Sequence, residues 1–120
     1  SGSTGSCSLQ VMVYIPSTRK ANSMAKATLI SRTRSYLRED VFAEIVIWSV
    51  PSPLRGSVHH FKYRMALVAS GECVLRYDNE AGKGDHRHVH SQEEAYLFES
   101  VETLLVDFRS DVEGWLDDNP

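Results

Sequence analysis

The chain has 120 residues, of which 42% are hydrophobic and 24% charged; that is room for one hydrophobic core and rules out a disordered or collagen-like chain. No apolar run is long enough to cross a bilayer, and the longest, residues 43–50, is broken by Glu44 and Ser49. The formal net charge of -3 hides an asymmetry: residues 93–120 hold nine Asp/Glu against the single Arg109, whereas residues 1–92 hold twelve Lys/Arg against seven Asp/Glu. A basic body of this kind is the footprint of a nucleic-acid ligand.

Residues 1–23 open with a Gly/Ser/Thr run and contain a short strand-like stretch, residues 9–15, without a partner signal. They lack the pattern of a secretory signal. They are expected to be a non-native or disordered extension before a start at Met24, leaving residues 24–120 as one domain. Residues 27–37 read as a strand with Arg32 and Arg34 on one parity, and Arg38, Glu39 and Asp40 turn the chain. Residues 41–50 form the next strand, with Ala43, Ile45 and Ile47 on a dry face and Glu44, Val46 and Trp48 opposite. The two prolines of residues 51–56 end it.

From His60 the chain alternates His60, Lys62, Arg64 against Phe61, Tyr63, Met65, the period of a strand with one wet side. After the turn at Ser70-Gly71-Glu72, a second run places Arg76 and Asp78 on one side and Cys73, Leu75 and Tyr77 on the other. So short a connection implies an antiparallel hairpin, whose merged polar face holds His60, Lys62, Arg64, Arg76 and Asp78. Residues 78–88 read as a loop at the edge of this patch, in which Gly82 and Gly84 bring backbone amides toward an anion beside Lys83. Two cysteines, Cys7 and Cys73, form neither a disulfide framework nor a zinc spacing. A reduced Cys73 then acts as a small hydrophobe, in keeping with a cytoplasmic setting.

Residues 95–98 are a short apolar run, a candidate fifth strand. Ser100 is an N-cap for an amphipathic helix with Val101, Leu104, Leu105, Phe108, Val112 and Trp115 or Leu116 on its stripe, frayed or ended at Gly114. The economical architecture is α+β: a twisted, mostly antiparallel sheet with the C-terminal helix on one face and the other face left for function.

Histidine next to fixed cations suits phosphodiester cleavage, since imidazole moves protons near neutral pH and Lys or Arg stabilises charge on phosphorus oxygens. The plainer reading makes Lys62 and Arg64 solvated strand residues and His60 a loop residue. His86, His88 and His90 alternate, so an extended backbone aims them one way; that spacing suits a divalent metal with Asp85, but also acid/base work without metal, and the neighbouring Lys83, Arg87 and Arg76 disfavour a cation. Asp78 and Asn79 serve either a turn or the orientation of a patch residue. Glu44 reads first as a salt partner, and Trp48 and Tyr63 first as packing.

The blocks His60-Phe61-Lys62-Tyr63-Arg64-Met65, Leu75-Arg76-Tyr77-Asp78-Asn79-Glu80, Gly82-Lys83-Gly84-Asp85-His86-Arg87-His88 and Tyr96-Leu97-Phe98, with Leu104, Leu105, Asp107 and Phe108, resemble the TumE-type toxins of bacterial toxin/antitoxin pairs over about residues 24–112. The resemblance implies a cytoplasmic toxin neutralised by a helix-turn-helix antitoxin, and it implies a ribonuclease. Its motifs point to His60, Lys62, Arg64, Arg76, Asp78, Asn79, Lys83, Asp85, His86 and His88, and transfer nothing to His90 or Cys73.

Three readings follow. The first is a metal-independent endoribonuclease with His86, His88 and His60 in proton transfer, Arg64, Arg76 and Asp78 beside them, and Lys62, Lys83, Arg87 and Asn79 binding substrate. The second is a metal-dependent nuclease with a His/Asp site, and the third a non-enzymatic module that binds RNA or an antitoxin. The first expects no cofactor, no metal and no membrane partner, and leaves a homo-oligomer open.

Overall fold

The computed structural model describes residues 26–120. Six strands form one antiparallel meander in chain order: β1 (Thr28–Arg38), β2 (Val41–Ser49), β3 (Phe61–Ala69), β4 (Glu72–Glu80), β5 (Gly84–Val89) and β6 (Gln92–Ala95). Among the described residues one helix, α1 (Val101–Asp118), follows. This is the α+β arrangement expected from the patterning. The reading of residues 9–15 as a strand and of 1–23 as an extension falls outside the described residues. Among the described residues, no helix is long and apolar enough to cross a membrane.

Alternation decides which face is dry. Val41, Ile47, Tyr63, Met65, Leu67, Leu75 and Tyr77 point to one side and meet Leu104, Phe108 and Val112 of α1. Burying each such side chain stabilises the fold by about 1.5–3 kcal/mol relative to leaving it in water. The Ser100 hydroxyl accepts from the Thr103 N–H at 3.0 Å and caps the helix. No basic residue stands in the last turn of α1. Instead Arg38, at the end of β1, donates to the carbonyls of Leu116 at 3.1 Å and Asn119 at 2.5 Å, bringing positive charge to the negative end of the helix.

The structure departs from the sequence reading at several places. Residues 78–88 are not a loop: β4 runs on to Glu80, turns, and pairs with β5 as Asp78↔His86 and Asn79↔Asp85. Their polar side chains still alternate between the two faces, which satisfies a strand's period without apolar residues. A β-bulge between the pairs Leu67↔Leu75 and Val68↔Cys73 flips one side chain, so Cys73 joins Ala66, Val68 and Phe42 on the face away from α1 rather than lining up with Leu75 and Tyr77. Cys73 is also disulfide-bonded rather than a reduced thiol; the cysteine argument for a reducing compartment falls with it. Strand β6 ends at Ala95, so Tyr96 and Phe98 leave the sheet and pack on the core. Finally, α1 passes through Gly114 to Asp118, because Trp115 and Leu116 beyond it pack on the core.

Candidate nucleic-acid cleavage site

The face of the sheet opposite α1 carries the charged chemistry. Cross-strand pairing lays out one row of Arg32, Val46, Arg64, Asp78, His86 and Ala95, and next to it a row of Arg34, Glu44, Ala66, Arg76, His88 and Glu93. Lys62 pairs with Trp48 one step further along. Lys62, Arg64, Arg76, Asp78, His86 and His88 therefore share one face, because β3, β4 and β5 are neighbours and the six residues have the same parity.

Contacts within this patch are specific. Arg76 Nη2 lies 2.8 Å from His88 Nδ1, and Arg76 Nε stands 3.4 Å from Asp78 Oδ2. Glu93 reaches back from β6, with Oε2 3.3 Å from His86 Nε2 and Oε1 3.6 Å from His88 Nε2. The His86 Nδ1 atom is buried without a hydrogen-bond partner. Lys62 Nζ donates to the Asn79 carbonyl at 2.7 Å. Burial pushes the Lys62 ammonium below the usual lysine range, against the pull of Asp78 and Glu80. Burial, followed by the charge of Arg76, likewise lowers the Arg64 guanidinium. Cations held together in partial burial are stabilised by an incoming anion such as a phosphate.

Other residues named from the sequence lie elsewhere. His60 is exposed in the bend just before β3, where its carbonyl accepts from the Val50 N–H at 2.9 Å, and it lies outside the two rows. Arg87 points to the helix side, where it meets Asp111 at 3.0 Å and Glu94 at 3.0 Å. Asn79 is fully buried, and its amide bonds the Tyr63 N–H at 2.9 Å and the Phe61 carbonyl at 2.8 Å. Lys83 is exposed in the turn, 3.8 Å from both Glu80 and Glu93. The glycines around it face a protein loop rather than a ligand: the Gly82 N–H donates to the Arg55 carbonyl at 2.6 Å, and the Lys83 N–H to Glu80 at 3.0 Å. His90 adopts a positive φ of 56° in the β5–β6 turn and leaves the row of His86 and His88.

Two features escaped the sequence reading. Glu93 joins the histidines only because β5 and β6 pair, a hairpin hidden by the polar composition of residues 78–94. On the helix side, Asp85 accepts from Ser57 Oγ at 2.6 Å, His59 Nε2 at 2.7 Å and Tyr63 Oη at 2.7 Å. The His59 ring stacks on Phe98 at 3.7 Å between centroids and takes the Phe61 N–H on Nδ1 at 3.2 Å. With both nitrogens engaged and its side chain almost fully buried, His59 fastens the loop before β3 to β5. The helix side also has a cleft of about 230 Å³ lined by Val74, Arg87, Asp111 and Trp115, remote from His86 and His88. Among the described residues, no group of three His, Cys, Asp or Glu side chains is placed to hold a metal ion.

No curated protein and no solved structure matches the chain. Residues 13–116 match the family described as Toxin TumE, a span that begins ahead of Met24. With the match covering most of its length, the chain belongs to the TumE family, the toxins of toxin–antitoxin pairs.

Proposed function

We propose that the protein is an endoribonuclease toxin that cleaves RNA through its own 2′-hydroxyl, without a metal, on the sheet face opposite α1. The observation that carries this reading is the unpartnered Nδ1 of His86, in the same row as Arg64 and Asp78. A buried nitrogen without a partner is uncommon, and a substrate hydroxyl would complete it once the side chains that cover it move aside. In this scheme His86 takes the 2′-OH proton, the 2′-oxygen bonds to phosphorus, and the bond from phosphorus to the 5′-oxygen breaks. Arg64 and Arg76 stabilise the charge on the non-bridging oxygens. The leaving oxygen needs a proton; with His60 outside the two rows, Lys62, whose burial favours proton release, is the donor the face offers.

As a toxin of this family the chain has an antitoxin partner. We infer that this partner is of the helix-turn-helix class. The test is cleavage of a single-stranded RNA by purified protein in excess chelator. Products ending in 2′,3′-cyclic phosphate support the scheme; activity that appears only with added divalent metal selects the metal-dependent reading. Growth inhibition unchanged by His86→Ala selects a binding module.

A further inference from the structure

We propose that Glu93 is a positioning residue that holds the proton of His86 on Nε2, leaving His86 Nδ1 as the basic nitrogen. The inference rests on the nuclease reading of this face and adds a residue to it. Arginine has no acceptor, so the 2.8 Å contact from Arg76 Nη2 requires a lone pair on His88 Nδ1. The proton of neutral His88 therefore sits on Nε2, which faces Glu93 Oε1 at 3.6 Å. The second carboxylate oxygen stands 3.3 Å from His86 Nε2, and a carboxylate there holds the proton on that nitrogen too. One side chain thus offers one oxygen to each ring.

Register makes this possible. The pair His88↔Glu93 is set by the short β5–β6 turn, and the side chains of Lys83, Arg76, Asp78 and Arg64 bound the same space from the turn, β4 and β3. Lys83 Nζ, 3.8 Å away, draws the carboxylate from the turn side. Glu93 is 37% exposed, and a partly exposed ion pair contributes only about 0–1 kcal/mol to stability. Proton placement and stability are therefore separable by experiment.

The full-length chain is compared with Glu93→Gln and Glu93→Asp for RNA cleavage, melting temperature and imidazole ¹⁵N spectra. The expected result for Glu93→Gln is a kcat lower by roughly 10–100-fold, the usual effect of removing a group that orients a catalytic one, with KM nearly unchanged. In the same variant the His86 ¹⁵N signals shift toward a mixture of tautomers. Glu93→Asp recovers part of the activity and the single tautomer. Unchanged ¹⁵N signals in Glu93→Gln would overturn the proposal, as would equal losses in both variants that track a fall in melting temperature. If the parent chain cleaves no RNA, the nuclease reading fails, while the ¹⁵N spectra still decide whether Glu93 holds the two rings.

Discussion

Arg76 Nη2 and His88 Nδ1 lie 2.8 Å apart on adjacent strands, which ties a fixed cation to an imidazole at the centre of the charged face. A lysine at position 76 keeps the charge but loses the planar fork that reaches His88 and a phosphate together. Arg76→Lys is expected to lower the rate of RNA cleavage by on the order of 10²–10³, the effect of deleting one donor to a developing anion. Its melting temperature stays close to that of the parent, since Arg76 is partly exposed. Single-turnover cleavage with a thermal melt checks this; near-normal cleavage by the lysine variant would show that position 76 supplies only charge.

The fold class and most of the site's face were legible because alternation in residues 41–77 survives in the folded sheet. Lys62, Arg64 and Arg76 needed only parity and one short turn. Residues 78–94 were harder: Asp78, Asp85, His86, Arg87 and His88 give no apolar signal, and the glycines that read as a ligand-binding loop serve a close backbone approach instead. The direction of Arg87 follows from parity alone once β5 is known to be a strand. The bulge that turns Cys73 over has no local signature, since it arises from how β4 meets β3.

Asn79 bridges the place where β3 and β4 part. Regular pairing of the two strands begins at Arg64↔Asp78, and beyond it the Asn79 amide bonds the Tyr63 N–H and the Phe61 carbonyl directly. Asn79→Ala leaves those two buried backbone groups without partners, at about 1–3 kcal/mol each. The expected outcome is a melting temperature lower by roughly 10–20 °C for a domain of this size. A loss of only a few degrees would show that water replaces the amide.

Gly56 and Gly84 meet backbone to backbone. A Cβ at Gly84 would stand 2.8 Å from the Gly56 carbonyl oxygen, and one at Gly56 would stand 2.7 Å from the Gly84 nitrogen, with φ of +80° and +97°. Either change to alanine combines an unfavourable φ with a clash and is expected to destabilise by about 2–4 kcal/mol. Once one variant has pushed the two loops apart, the second has less left to disturb, so the double variant should lose less than the sum of the singles. Strict additivity in denaturant melts would contradict a shared contact.

Three tyrosines set the alkaline limit of the fold. Tyr63 donates to Asp85 at 2.7 Å, Tyr77 to Asp111 at 2.5 Å and Tyr96 to Asp107 at 2.6 Å. Burial first, then the adjacent carboxylate, raises each phenol above its ordinary value. A group whose folded pKa is raised contributes stability that is fully present below the unfolded pKa, about 10 for tyrosine, and lost as pH rises beyond it while the unfolded chain ionises first. Lys62, lowered by burial, acts with the opposite sign, but it is one group against three. The melting temperature is therefore expected to fall steeply above about pH 10. Tyr63→Phe starts lower at pH 8, because Asp85 has lost a donor, yet falls less steeply above pH 10, since one of the three linked protons is gone. Melts of both chains across this range decide the point: parallel slopes would mean that Tyr63 does not take part in the alkaline transition.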